Sequence, residues 1–161
     1  MTDSVVISGI GVISPLGSTL GQIAARFCAG QRALRPLSDM GVDSAFGAPL
    51  DEIPVDVIPA DKRSRIGRLD RLCRLFLSAA YAAVGAAQLS IDDADADRVA
   101  LSFGTGLGCL LTNAEYNQKL VEHGPTAASP RLFAYTVSSA AAGEVSIALG
   151  IKGANVTSHA G

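Results

Sequence analysis

The side chains best suited to chemistry in this 161-residue chain are its cysteines and histidines. The sequence contains three cysteines, Cys28, Cys73 and Cys109, and two histidines, His123 and His159. A nucleophilic enzyme needs a thiol beside a base, and a zinc site needs clustered ligands. The cysteines lie far apart, and all three fall in helical patterns. This spacing indicates neither a zinc site nor a disulfide framework, and it suits a reducing cytoplasm.

The two histidines are expected to have structural roles. His123 falls at the end of a predicted helix, where we expect it at the surface. His159 falls in a predicted strand, where a buried and hydrogen-bonded histidine is the simpler interpretation. The chain is therefore expected to bind no metal and no cofactor.

Two glycine-rich segments resemble nucleotide-binding loops but lack the residues that such loops require. Gly9 and Gly11 follow an apolar stretch, yet Ser14 stands where a dinucleotide fingerprint has its third glycine. Residues 104–108 have glycine at alternate positions, but they do not match the fingerprint and lack the Lys-Ser/Thr of a phosphate loop. In this second segment we expect glycine to permit close backbone packing.

A helix predicted over residues 110–122 carries the main candidate pocket residues. Cys109, Thr112 and Tyr116 are spaced at i, i+3 and i+7, so they share one helical face. Such a stripe suits either a packed core or interface, or the lining of a pocket. The spacing alone leaves both interpretations open.

An arginine cluster lies at the start of a long helix predicted over residues 62–89. Its members are Arg63, Arg65, Arg68, Arg71 and Arg74. The simpler interpretation is a solvated face that forms ion pairs with Asp61 and Asp70. The alternative is a docking patch for an acidic carrier protein.

The predicted elements that position these residues are typical of an α/β chain. Apolar and β-branched runs predict strands over residues 4–13, 55–58, 98–103 and 155–159. Helical periodicity and capping residues predict helices from Ser18 or Thr19 to Cys28, and over 62–89, 110–122 and 139–149. Residues 30–61 contain many glycines and prolines, which predict an irregular connection, and residues 92–97 predict an acidic turn.

The last predicted helix has a clear end and a clear apolar face. Gly150 is placed as a left-handed C-cap. The apolar face is expected to contain Ala142, Val145, Ile147 and Leu149.

The composition is apolar for a chain of this length. Hydrophobic residues make up 48% and charged residues 17%, and the mean hydropathy is +0.33. The formal net charge of −2 predicts no nucleic-acid partner. No apolar run is long enough for a membrane span, and we expect no signal peptide. The apolar excess therefore predicts a surface that a partner covers.

Several segments, in this order along the chain, resemble the N-terminal half of a beta-ketoacyl synthase. They are VVISGIGVISPLG (5–17), RLDRLCRLFLSAAYAAVGAAQL (68–89), FGTGLGCLLTNAEY (103–116), the GP…SPRLF loop (124–133) and AAGEVSIALGIKGANVT (141–157). The resemblance covers residues 1–161 as one half domain. It implies an α/β fold, the N-terminal half of a thiolase fold, with a mixed sheet and packed helices that another polypeptide completes.

The resemblance also implies where the chemistry lies. The family uses a cysteine nucleophile, which forms a thioester, together with two histidines that polarise the thioester carbonyl and assist decarboxylation. The nucleophile position is expected just after Gly161, and the histidines belong to the second half. No catalytic residue is therefore expected in this chain, whether it is truncated, separately encoded or cleaved after Gly161.

The chain departs from the family pattern near that position. Ala154 replaces the usual proline of the preceding turn, and Ser158-His159-Ala160-Gly161 replaces a small apolar run that ends in Thr-Ala. An alternative register with a three-residue deletion would place His159 at the nucleophile position. These departures favour the family's non-catalytic chain-length factors.

By resemblance to chain-length factors, the acyl tunnel is expected to contact Leu107, Cys109, Thr112, Tyr116 and Phe133, with Tyr116 as its floor. The expected partners are a catalytic ketosynthase subunit or the missing second half, and acyl carrier protein. The alternatives are the N-terminal half of an active beta-ketoacyl synthase, a scaffold without an acyl pocket, and an unrelated α/β binding domain.

Overall fold

The computed structural model describes residues 4–160, which form two compact units. One unit contains residues 4–58 and 78–89, and the other contains residues 59–77 and 90–160. No helix in this described part is long and apolar enough to cross a membrane. The elements are α1 (Leu20–Cys28), β1 (Arg35–Pro36), β2 (Phe46–Gly47), α2 (Arg71–Ala86), β3 (Leu101–Thr105), α3 (Leu110–His123), α4 (Pro130–Phe133), α5 (Ala140–Leu149) and β4 (Asn155–His159).

The strand predicted over residues 4–13 is wrong for the described residues. The two sheets described in residues 4–160 pair β1 with β2 and β3 with β4, so this segment has no partner strand. Its apolar side chains are exposed to solvent: Val5 is 101% exposed, Val6 75% and Ile7 83%. An apolar, β-branched sequence becomes a strand only where a neighbouring strand accepts its hydrogen bonds.

Two glycines allow the same segment to lie close against α2. A Cβ atom at Gly11 would lie 2.6 Å from the backbone nitrogen of Ala83, and one at Gly9 would lie 2.5 Å from that of Ala87. Neither distance leaves room for a side chain. Gly9 and Gly11 therefore have a packing role on the alanine-rich face of α2.

The start of α1 follows the capping prediction, and the connection after it is largely irregular as expected. The Thr19 hydroxyl accepts a hydrogen bond from the Gln22 backbone N–H at 3.2 Å. In the connection, β1 and β2 form a short antiparallel pair. The strand predicted over residues 55–58 is wrong, because the Ile58 N–H donates to the Val55 carbonyl at 3.0 Å and closes a turn.

Helix α2 begins later than predicted because Asp70 caps it. The Asp70 carboxylate accepts a hydrogen bond from the Cys73 backbone N–H at 2.8 Å, and Leu69 before it has extended backbone angles. An aspartate in this position stabilises a helix start by satisfying an otherwise unpaired donor. The start of the helix predicted over residues 62–89 instead belongs to a 3-10 helix, Ala60–Arg68.

The second unit is built on a parallel pair of strands. Strands β3 and β4 pair in register from Leu101 with Asn155 to Thr105 with His159. Strand β4 has the predicted bounds, whereas β3 starts later than predicted because Ala96–Arg98 forms a 3-10 helix. Helix α5 packs against both strands, and the Phe103 ring of β3 stacks on Phe76 at 4.3 Å.

Helix α5 ends as predicted, with Gly150 in the left-handed conformation at φ 72°. Its buried residues are Ala141, Ala142 and Val145. The prediction that Ile147 faces the core is wrong, because its side chain is 64% exposed. The small alanines, rather than the larger isoleucine, are buried, and their size allows close packing.

Candidate functional site

The first turn of α3 holds two of the predicted tunnel residues in a fixed arrangement. Cys109 is the N-cap residue, and Cys109 and Thr112 are each only 7% exposed. The Cys109 thiol donates a hydrogen bond to the Thr136 carbonyl at 2.8 Å and accepts one from Asn113 Nδ2 at 3.2 Å. The shared helical face predicted from their spacing is therefore present and largely buried.

The entry to this turn includes Gly108, which has a positive φ of 53°. A Cβ atom there would lie 2.8 Å from Ser138 Oγ, so this position matches the close packing expected of the glycine-rich segment. At Gly104, a Cβ atom would meet nothing within 4 Å, and the expectation is wrong there.

A hydrogen bond between distant residues connects α3 to the start of α2. The Thr112 hydroxyl donates to Asp70 Oδ2 at 3.0 Å, while Asp70 Oδ1 caps α2. Both carboxylate oxygens thus accept bonds from groups of the chain. The two residues are 42 positions apart, and no local signal in the sequence predicted their contact.

A largely leucine-lined cavity of about 310 Å³ lies beside this turn. Its lining contains Leu107, Cys109 and Thr112 from the predicted set. The remaining lining residues are Asp70, Arg71, Leu72, Leu75, Gly108, Leu110 and Leu111. Leu72 and Leu75, which form the α2 wall, were not among the predicted tunnel residues, because helical spacing does not show which helix faces α3.

Tyr116 and Phe133, the other predicted tunnel residues, do not line this cavity. Their rings pack against each other instead, with centroids 5.8 Å apart and planes tilted by 50°. Tyr116 is half-buried, and Phe133 is 58% exposed. The structure therefore separates the predicted set into a cavity group and an aromatic pair.

The histidine expectations have opposite outcomes. His123 lies at the exposed end of α3, as predicted. His159 is exposed, so the expectation of a buried histidine is wrong for the described chain. Strand β4 packs mainly against β3 and α5, and four of its five side chains are exposed.

The cysteines differ sharply in their surroundings. Burial raises the pKa of the Cys73 thiol well above its usual value, and Asp70 raises it further through a hydrogen bond and its charge. A buried thiol with a raised pKa is a poor nucleophile, and we expect Cys73 to have a structural role. Cys28 is exposed. Among the described residues, no three or more His, Cys, Asp or Glu side chains form a group that could hold a metal ion.

The arginine cluster divides into two parts. Arg63, Arg65 and Arg68 are exposed on the 3-10 helix, whereas Arg71 and Arg74 are half-buried on α2. Arg65 forms an ion pair with Glu144 of α5 at 3.5 Å. The expected solvated basic face is therefore confined to the 3-10 helix.

Comparison with known proteins places this arrangement in a family. The family model for the beta-ketoacyl synthase N-terminal domain matches residues 2–161. A 3-oxoacyl-(acyl-carrier-protein) synthase 2 of Synechocystis sp. is 30% identical over 154 residues, which cover 94% of this chain and 36% of the relative. A Staphylococcus aureus protein of the same name is also 30% identical, with 37% of its length covered. The chain thus spans little more than a third of these relatives.

Solved structures show the same fold. A beta-ketoacyl synthase from Burkholderia phymatum superposes with a TM-score of 0.73 at 23% identity, covering 94% of this chain and 38% of that one. The ishigamide ketosynthase/chain length factor gives 0.72 at 22% identity, with coverages of 94% and 39%. These similarities confirm the predicted mixed α/β, thiolase-type fold. The chain belongs to the beta-ketoacyl synthase family, and residues 2–161 match the family's N-terminal domain.

Proposed function

We propose that this chain is a non-catalytic, chain-length-factor-like part of a beta-ketoacyl synthase complex, in which it shapes the tunnel for the growing acyl chain. The observation that carries this proposal is the leucine-lined cavity at the start of α3. Its apolar walls suit a hydrocarbon chain, because each buried methylene contributes about 0.8 kcal/mol. Membership of the family supplies the substrate class, a carrier-bound acyl chain in fatty acid or polyketide synthesis.

Cys109 is the residue that we assign to setting the depth of the tunnel. Its side chain is small and lines the cavity, and its hydrogen bonds to Thr136 and Asn113 hold it in one orientation. A larger side chain at this position would occupy cavity volume that an acyl chain otherwise fills. We assign Tyr116 and Phe133 to the tunnel floor where a partner subunit extends the cavity.

Replacement of Cys109 tests this assignment. We expect Cys109→Phe to shift the products of the reconstituted complex towards shorter chains, because the ring fills part of the cavity. Product lengths are measured by mass spectrometry of the released acyl chains. Val121→Phe is the matched control, because Val121 lies on the same helix, is 87% exposed and does not line the cavity. Unchanged product lengths in the Cys109 variant would remove the assignment.

The proposal of a non-catalytic role depends on different residues. Ser158-His159-Ala160 departs from the Thr-Ala approach that the family uses before its nucleophile. The high pKa of Cys73 argues against that thiol as a replacement nucleophile. The alternative is the N-terminal part of an active synthase, and the 30% identity to 3-oxoacyl-(acyl-carrier-protein) synthases favours it.

The position of the acyl-enzyme intermediate distinguishes these two functions. The complete complex is incubated with an acyl carrier thioester, and the adduct is located by intact-mass and peptide mass spectrometry. We expect the adduct on the partner ketosynthase polypeptide alone. An adduct on the polypeptide that contains this chain would establish the active-synthase alternative.

We further propose three partners for this chain: a catalytic ketosynthase subunit, a polypeptide that completes the fold, and an acyl carrier protein. Exposed Val5, Val6 and Ile7 support an apolar contact with another polypeptide. Exposed Arg63, Arg65 and Arg68 support the docking of an acidic carrier. One structural neighbour is described as a type II PKS acyl-carrier protein in complex with its ketosynthase, with a TM-score of 0.70 at 17% identity, covering 96% of this chain and 36% of that one.

A further inference from the structure

A second cavity in the same unit, also of about 310 Å³, has arginine-rich walls. We call it the arginine cavity. The guanidinium-bearing residues that line it are Arg68, Arg71, Arg74 and Arg131, and its apolar lining comes from Leu69, Leu111 and Leu132. Of these arginines only Arg71 also lines the leucine-lined cavity, so the proposed acyl tunnel does not involve Arg68, Arg74 or Arg131.

Arg74 has an unsatisfied hydrogen-bond donor at this site. Its Nε atom is buried and has no hydrogen-bond partner. A buried donor without an acceptor carries a desolvation cost, which an anionic acceptor removes. Across the cavity lining, Arg131 Nη1 donates to the Arg68 carbonyl at a long 3.4 Å. A guanidinium has five N–H donors, so this one bond leaves Arg131 with further donors to offer.

The carboxylates of the cavity are already engaged by other groups. Asp70 accepts hydrogen bonds from the Cys73 N–H and from Thr112, and Glu115 pairs with Lys119 at 2.6 Å. Four arginines against these two carboxylates leave the lining with an excess of positive charge. The local charge thus matches an anion with more than one negative charge.

We propose that the arginine cavity binds a phosphoryl group, either as free phosphate or as the phosphate of an ester. Planar guanidinium groups bind phosphate oxygens in pairs, and a phosphate monoester carries close to two negative charges at neutral pH. The cavity is larger than one phosphate, so its leucines can also contact the first atoms of an attached organic group. This proposal does not depend on the acyl tunnel.

Calorimetry of the complete purified protein with inorganic phosphate in a chloride buffer tests the proposal. We expect saturable binding that weakens at least about tenfold in Arg74→Gln and in Arg131→Gln, because each variant loses a charge-assisted contact. Arg131 is exposed, so its replacement leaves the core intact. Arg98→Gln is the charge-matched control, because Arg98 is exposed and lies outside the cavity. It should change binding by less than about twofold.

The absence of saturable phosphate binding by the unaltered protein would overturn the proposal, and so would equal weakening by Arg98→Gln. Titrations with 4′-phosphopantetheine and with pantetheine identify the source of the phosphate. Tighter binding of phosphopantetheine than of phosphate supports a carrier prosthetic group, and equal binding supports free phosphate. Pantetheine binding as tightly as its phosphorylated form would also overturn the proposal. Phosphate binding is measured on the purified protein and product length on the reconstituted complex, so failure of the tunnel proposal can be told apart from failure here.

Discussion

At the scale of single residues, the Asp70 carboxylate has two roles, because each of its oxygens accepts a different hydrogen bond. One oxygen caps α2 and the other accepts the Thr112 hydroxyl bond. A helix cap contributes about 1 kcal/mol, and a hydrogen bond to a charged group contributes about 1.5–3 kcal/mol. Asp70 and Thr112 line both the leucine-lined cavity and the arginine cavity. Their hydrogen bond therefore lies in a wall that the two cavities share.

Tyr135 gives a prediction about pH. Burial, with the nearby Glu144 carboxylate, raises the pKa of the Tyr135 phenol to about 12, and the phenol donates a hydrogen bond to Glu144 at 3.2 Å. Because the folded pKa exceeds the ordinary value of about 10, the folded chain retains a proton that the unfolded chain releases. The stability from this group is present in full below about pH 10 and is lost as the pH rises through about 12.

Ultraviolet absorbance of the phenolate measures this titration directly. Tyr135→Phe should remove the component that titrates near pH 12 and should weaken the loss of stability above pH 10. Tyr116→Phe is the control and should retain that component. The assignment fails if the absorbance change near pH 12 persists in Tyr135→Phe.

At the scale of elements, the contact of residues 4–13 with α2 depends on glycine. Gly11→Val places branched carbon atoms where even one Cβ would lie 2.6 Å from the Ala83 nitrogen. We expect a loss of about 1–3 kcal/mol in the free energy of unfolding, which is typical of overpacking. Gly21→Ala is the control, because a Cβ there meets nothing within 4 Å and Gly21 lies in α1.

Chemical denaturation of the complete protein measures both variants. Gly21→Ala should be neutral or should stabilise by up to about 1 kcal/mol, because alanine favours a helix over glycine. Equal stability of Gly11→Val and the unaltered protein would contradict the close packing.

The elements that were predictable from the sequence are those with local signals. Thr19 sets the start of α1, Gly150 ends α5, and the β-branched run before His159 gives β4 its predicted bounds. The failures depend on distant residues. Residues 4–13 have a strand-like composition but no partner strand among the described residues, and Ile147 lies on a face that neighbouring elements leave open.

The candidate site was likewise predictable where local spacing determines it, but not where distant residues meet. Helical spacing placed Cys109 and Thr112 on one buried face, which the structure contains. Leu75, on the opposite wall of the cavity, belongs to α2, and Asp70, which accepts the Thr112 bond, caps that helix. The predicted start of this helix was wrong. Aspartate is a common helix cap, so Asp70 could have indicated the start of α2. The arginines and leucines around it also fit a continuous helix, and their periodicity predicts a helix that starts earlier.

At the scale of the whole molecule, the surface combines open apolar residues with a short basic segment. The exposed apolar residues occur in both units and include Val5 and Ile7 in one unit and Leu107, which is 76% exposed, in the other. The basic part is the exposed set Arg63, Arg65 and Arg68 on the 3-10 helix. Exposed apolar side chains suit lasting contact with polypeptide, and exposed arginines suit brief contact with the proposed acidic carrier.

Charge reversal tests the carrier contact. We expect Arg63→Glu to weaken acyl carrier protein binding to the complete complex by about three- to tenfold at low salt, mainly through slower association. The difference should shrink as ionic strength rises, because salt screens exposed charges. Surface plasmon resonance measures the association rates, and Arg98→Glu is the control on an exposed residue outside this segment. Identical effects of the two variants would contradict a localised docking patch.

The parallel pairing of β3 with β4 also bears on synthesis by the ribosome. The Ser158 hydroxyl bonds to the Phe103 carbonyl, 55 positions earlier in the chain. At translation rates of about 5–20 residues per second, β3 is synthesised roughly 3 to 11 seconds before β4. During that interval the nascent chain displays an unpaired strand edge, which makes it a substrate for chaperones and prone to aggregation.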